Sequence, residues 1–92
     1  MALISRGERG AMIVTRDGAW AGHSTRQQKV LSTVGCGDYL LAGLLAGLKK
    51  GNSPAEALAL GLKVATARAW GWTEARTWSQ AEKEMAVAVE PV

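Results

Sequence analysis

Apolar and polar positions follow two different rhythms along this chain. The first part consists of short apolar runs bounded by glycine and charged residues. Ala2-Leu3-Ile4-Ser5 breaks at Arg6-Gly7-Glu8-Arg9-Gly10, and Ala11 to Thr15, rich in β-branched residues, follows. Runs of that length and composition between turn residues predict strands. Asp17-Gly18 predicts a hairpin turn into a third strand from Ala19 to His23. Ser24 to Gln28 is polar and reads as loop, and Lys29-Val30-Leu31 is a brief strand candidate.

Beyond that point the pattern is helical. One helix is predicted from Asp38 to Lys49, stopped by Gly51, a residue suited to the left-handed position after a helix. A second opens with Ser53-Pro54-Ala55-Glu56 and continues to Trp70. That opening joins an N-cap serine, a proline at the first helical position and a glutamate able to reach back to the cap. Ser79-Gln80-Ala81-Glu82 has the same box and predicts a third short helix ending about Met85, before a last strand at Val87-Ala88-Val89. Gly43 and Gly47, beside Ala42 and Ala46, leave a small-residue stripe on the first helix that reads as ordinary close packing. The second helix is apolar over most of its surface, which calls for cover on several sides. The chain has little left to supply it, which suggests that part of the structure lies elsewhere.

At 92 residues, 48% of them hydrophobic, the chain has material for one small core and is not disordered. Its single cysteine excludes an internal disulfide framework and fits a reducing compartment. The longest strongly apolar run, Tyr39 to Leu48, is far short of the ~20 residues a membrane helix needs. Arg6, Glu8 and Arg9 interrupt anything like a secretion signal. A cytoplasmic protein without a membrane partner is expected. The net charge of +3 is spread over scattered basic residues, whereas a nucleic-acid binder concentrates its charge on one face. Nor does the helix pair pass for a DNA-reading motif, because its second helix offers mostly alanine and leucine where base-reading side chains are needed. His23 is isolated and reads as a surface histidine. Trp20, Trp70, Trp72 and Trp78 lack basic interleaving and read as packing residues.

Chemistry concentrates in Ser32-Thr33-Val34-Gly35-Cys36-Gly37-Asp38, directly before the first helix. First-turn N–H groups have no intrahelical acceptor and carry the positive end of the helix dipole, so anions bind there. The segment is not a phosphate-binding P-loop, since no lysine-serine or lysine-threonine pair follows the glycines. It is not a dinucleotide fingerprint either, because Leu40 stands where a third small residue is required. Local physics leaves two readings. Asp38 is either an ordinary first-turn helix acid or a base that takes a proton from a hydroxyl attacking a bound phosphate.

A second glycine loop bears on that choice. Ser5-x-Gly7-x-x-Gly10, the Ser32 to Asp38 segment and Ala42-Gly43 together resemble the C-terminal part of the ribokinase/PfkB family of sugar kinases. That family's pattern runs [ST]-x-G-x-x-G, then [DNS]-T-x-G-A-G-D-x-x-x-A-G. The glycine after the first helix, the Ser53 to Glu56 start and the small-residue helix around Gly61 also fit. The resemblance covers Leu3 to Gly71, and the Ser32-Thr33-Val34 variant looks most like the sugar-phosphate branch: minor-type 6-phosphofructokinase, 1-phosphofructokinase and tagatose-6-phosphate kinase. It implies an α/β chain, the C-terminal portion of a ribokinase-like doubly wound fold, with a β-hairpin, two to three helices and a last strand.

Residue by residue, the resemblance implies that Asp38 is the general base on the sugar hydroxyl. Gly35, Cys36 and Gly37 would form the anion hole, and Ser5, Gly7 and Gly10 the loop along the nucleotide. Leu62 and Thr66, counted from Gly61, would line the adenine pocket. The cofactors implied are ATP and magnesium, whose ligands fall mostly outside this chain. Cys36 stands where alanine is usual and reads as a small filler. Ser32 stands where many members carry aspartate, so the monovalent-cation site of the aspartate branch is not carried over. Full members are several times longer, and nothing here resembles their sugar-binding loops, lid or magnesium-linked motif. Residues 1–92 are thus expected to be a partial domain holding the ATP-site half, inactive alone. The alternative expectation is a truncated fragment that binds nucleotide weakly or only self-associates into a homo-oligomer.

Overall fold

In the computed structural model, which describes residues 1–6, 10–25, 36–69, 83 and 86–92, the strands form a sheet and both helices lie on one side of it. The strands are β1 (Ala2–Ser5), β2 (Ala11–Thr15), β3 (Gly18–Ser24) and β4 (Val87–Pro91), and the helices are α1 (Cys36–Lys49) and α2 (Pro54–Ala69). The strands form one sheet in the order β1-β2-β3-β4, antiparallel throughout. The expected elements on these residues are present. The candidate strand at 29–31 lies outside the described residues, as does the third helix at 79–85 apart from Lys83, which is helical.

Two boundaries differ from the sequence expectation. Thr15 pairs with Gly18, so the hairpin loop is Arg16-Asp17 and not Asp17-Gly18. Thr15 Oγ1 accepts from the Asp17 N–H at 3.2 Å and donates to the Gly18 carbonyl at 3.1 Å, closing the turn with a side chain. Helix α1 begins at Cys36, ahead of the expected Asp38, so Gly37 already lies within its first turn.

The helix ends are built as the sequence indicates. Gly51 has φ +88°, and the Gly51 and Asn52 N–H groups donate to the Leu48 and Gly47 carbonyls at 3.0 and 3.1 Å. This is the paired closure of a Schellman motif. At the start of α2 the Ser53 N–H donates to Glu56 Oε1 at 3.1 Å while the Glu56 N–H donates to Ser53 Oγ at 3.2 Å. The Ser53 N–H holds the Glu56 carboxyl below its ordinary range, with the Ser53 hydroxyl acting on the carboxyl as the next cause.

Because opposed residues in antiparallel strands share a face, the register sorts the sheet into two surfaces. Leu3, Ile13 and Trp20 stand in one row and Ser5, Ala11, Gly22 and Val89 in the next, on the side that α2 covers. Ile4, Met12 and Ala21 form a row on the other side, with Val14 beside them. Ile13, Leu44, Leu58 and Val64 are fully buried. Helix α2 lies between α1 and the sheet, and this corrects the expectation that its apolar surface lacks cover within the chain. Ala57, Leu58, Leu62, Val64 and Ala67 are buried there. The apolar surface left open lies on the outer face of the sheet, where Ile4 is 46% and Val14 36% exposed, and on α1 at Leu41 and Leu45.

Candidate active site

Helix α1 presents Cys36, Gly37 and Asp38 as its first turn. Asp38 and Gly37 are exposed to solvent. Among the described residues a Cβ placed on Gly37 would meet nothing within 4 Å. Glycine in a helix costs about 1 kcal/mol relative to alanine, and protein packing gives no reason for it here. The unoccupied space faces outward from a turn whose N–H groups have no intrahelical acceptor. A ligand that approaches the backbone closely, with negative charge, suits such a place.

Contrast the other glycines of the helix pair. A Cβ on Gly43 would fall 2.6 Å from the Gly61 Cα, one on Gly47 2.8 Å from the Ala57 Cα, and one on Gly61 2.6 Å from the Leu40 carbonyl oxygen. These positions bring the two helix backbones into contact and fix where α1 starts. The antiparallel pair places the end of α2 beside the start of α1, with the Arg68 guanidinium carbon 6.0 Å from the centre of the Tyr39 ring. A cation over an aromatic face at that range is attractive. Leu40, just after Asp38 and Tyr39, is buried in the same cluster as Ala11 and Leu62. The mouth of α1 is thereby tied to the start of β2 and to the middle of α2.

Ser5 closes β1, exposed, and pairs with Ala11. The Arg6 N–H donates to the Gly10 carbonyl at 2.7 Å and so closes the β1–β2 loop. Gly10 has φ +94°, a backbone conformation that favours glycine, and a Cβ there would collide with the Gly22 carbonyl oxygen. Leu62 is 5% exposed and belongs to the core, whereas Thr66, one turn further along α2, is half-buried. The structure thus brings Gly10 and Leu62 to two sides of Gly22, with Ser5 opposite Ala11, and Thr66 is not among the groups nearest to that glycine. Gly7 and Gly35 lie outside the described residues. A residue that sequence reasoning did not single out is Gly22, buried in β3 between Gly10 and Leu62. An isolated glycine inside a strand pattern is itself a signal of close approach, and it was available in the sequence.

Among the described residues no group of three His, Cys, Asp or Glu side chains could hold a metal ion. Magnesium is commonly held by one or two carboxylates together with nucleotide phosphates, and no chemical step is assigned to magnesium bound by these residues. Also among the described residues, no helix is long and apolar enough to cross a membrane.

A family model described as pfkB family carbohydrate kinase matches residues 1–69. A 1-phosphofructokinase from Haemophilus influenzae is 37% identical over 62 residues, covering 67% of this chain and 20% of its own length. A guanosine-inosine kinase from Exiguobacterium acetylicum is 39% identical over 64 residues, covering 68% of this chain and 21% of its own length. A crystal structure of a Staphylococcus aureus protein assigned as a phosphofructokinase superposes with a TM-score of 0.84 and 27% identity. That match covers 98% of this chain and 29% of the other. The chain therefore spans about a fifth of the length of the curated relatives it matches.

Proposed function

Because the chain belongs to the pfkB family of carbohydrate kinases, we propose that it supplies the catalytic base, the anion hole and part of the nucleotide site of an ATP-dependent sugar or sugar-phosphate kinase. Its α/β arrangement is the corresponding portion of the ribokinase-like fold. On this reading residues 1–92 are one part of a domain. The sugar site, the lid and the magnesium ligands belong to the parts that the longer relatives have in addition, and the protein acts in the cytoplasm.

The observation that carries the reading is the pairing of Asp38 with Gly37 in the first turn of α1: an exposed carboxylate beside a glycine with open space around it. Asp38 accepts the proton of the sugar hydroxyl as its oxygen bonds to the γ-phosphorus. The bond from that phosphorus to the bridging oxygen breaks, and ADP departs. N–H groups from Gly35 to Gly37 hold the equatorial oxygens as charge spreads over them, the term that dominates phosphoryl transfer. Magnesium, held by ligands mostly outside this chain, would neutralise part of that charge. Ser5, Gly7 and Gly10 lie along the nucleotide, and Leu62 and Thr66 bound its base.

The test is thermal unfolding of the chain with and without magnesium–ATP, together with its mass in solution. A cooperative melt that rises with nucleotide supports a folded half-site, since a ligand binding only the folded state stabilises it. A melt indifferent to nucleotide counts against the nucleotide assignment. In a complete kinase carrying these residues, Asp38→Asn lowers turnover by about 10²- to 10⁴-fold with nucleotide affinity nearly unchanged. An equal loss of affinity counts against the base.

A second reading rests on the open apolar face at Ile4 and Val14 and on the one-fifth coverage of the relatives. In it the chain alone is inactive and self-associates through that face. Phosphorylation of fructose 6-phosphate by the isolated chain would eliminate it.

A further inference from the structure

The centre of β3 touches both halves of the proposed nucleotide site. Gly22 is buried and opposes Ala11, the residue that follows the glycine loop. In the plane of the sheet, Gly10 lies against the Gly22 carbonyl so closely that a Cβ on Gly10 would overlap it. On the helix face, a Cβ on Gly22 would fall 2.6 Å from Leu62 Cδ1 and 2.8 Å from Val89 Cγ2. It would also lie 3.1 Å from the Ala88 carbonyl oxygen. The loop end therefore rests on one side of this glycine while α2 is seated, through Leu62, on its bare α-carbon.

We propose that Gly22 is a positioning residue for the nucleotide, setting where the Leu62 side chain of α2 lies relative to the Gly10 end of the β1–β2 loop. This rests on the kinase reading. A methyl group at 22 would stand 2.6 Å from Leu62 Cδ1, so the end of that side chain must turn away. The neighbouring strand, pinned at Gly10, cannot follow. A cleft whose two walls are set by one missing side chain loses its fit when that side chain is added, and displacements near 1 Å are costly to a preorganised site.

The experiment compares the wild-type chain, Gly22→Ala and Gly22→Ala with Val89→Ala. Magnesium–ATP affinity is measured by calorimetry well below the melting temperature, and amide and methyl NMR shifts are recorded without nucleotide. Gly22→Ala is expected to weaken binding about tenfold and to move the Gly10 amide and the Leu62 methyl signals together. The Gly47 and Ala57 signals, remote on the helix pair, stay in place. Removing the Val89 branches relieves only the 2.8 Å contact and leaves that with Leu62 Cδ1, so it recovers stability while the affinity stays low. Recovery of the affinity by Val89→Ala overturns the role given to Leu62. A purely structural role would lower the melting temperature of Gly22→Ala without changing the affinity of the folded protein, and that result overturns the proposal. So does movement of Leu62 with unchanged affinity. A wild-type chain that does not bind magnesium–ATP overturns the kinase reading of this chain, and the role of Gly22 falls with it. The two failures are thereby distinct.

Discussion

Gly43 of α1 and Gly61 of α2 meet backbone to backbone: a Cβ added at 43 would stand 2.6 Å from the Gly61 Cα and 3.1 Å from its nitrogen. Nothing flexible lies between them, so the helices themselves would have to separate. Gly43→Ala or Gly61→Ala is expected to destabilise the fold by about 1–3 kcal/mol, overpacking outweighing the gain in helix propensity. Denaturant unfolding measures this. A stabilised Gly43→Ala would mean that the helices are not in backbone contact.

Gly37 predicts the opposite balance in the same helix. Its surroundings are open, so Gly37→Ala should leave stability unchanged or raise it by up to about 1 kcal/mol. The nucleotide-dependent rise in melting temperature should shrink at the same time, because the methyl group occupies the space left for the phosphate. Loss of stability together with an undiminished nucleotide effect would remove the argument for Gly37 as an anion-hole residue.

The reciprocal Ser53–Glu56 cap makes a pH prediction. The Glu56 carboxyl is held below its ordinary value in the folded state by the Ser53 N–H and then the Ser53 hydroxyl. A depressed carboxylate contributes stability that is present above its unfolded pKa and lost as pH falls through the folded one. Ser53→Ala should lower the melting temperature at neutral pH by the effect of one lost helix cap. Below the ordinary glutamate range of about 4.3 the gap between wild type and variant should narrow. A gap independent of pH would show that the Ser53 hydroxyl does not act on the Glu56 carboxyl, which the N–H of residue 53 still holds in the variant.

Exposed apolar strand faces and free edges promote association. Ile4 and Val14 lie on the open face of a sheet whose edges are β1 and β4. Sedimentation of the isolated chain should show species larger than a monomer, and Ile4→Lys with Val14→Lys should shift them toward one. A wild-type chain that sediments as a single monomer refutes the idea that this face drives assembly.

Where residues act on their neighbours in the chain, the amino-acid sequence alone makes their effect legible. The Gly51 stop and the Ser53-Pro54-Ala55-Glu56 start are local hydrogen-bonding devices within a turn or two, and both form as their sequences indicate. The Gly35-Cys36-Gly37-Asp38 sequence is a local pattern too, and with the Ser5 to Gly10 sequence it carries the family resemblance that the comparisons bear out. The hairpin loop falls one residue before the Asp17-Gly18 pair because the Thr15 side chain closes the turn.

Only tertiary structure distinguishes the glycines from one another. Gly37, Gly43 and Gly22 are the same residue in the sequence, but one faces open space, one touches a second helix, and one seats Leu62 beside Val89. The partners that decide this are far away in the chain, and no local pattern identifies them. The same holds for the surface left uncovered. An apolar α2 suggests a missing layer over that helix, whereas α1 and the sheet cover it, and among the described residues open apolar surface lies on the far side of the sheet and on α1 at Leu41 and Leu45. A hydrophobic pattern states how much surface an element must bury. What buries it depends on how the elements assemble.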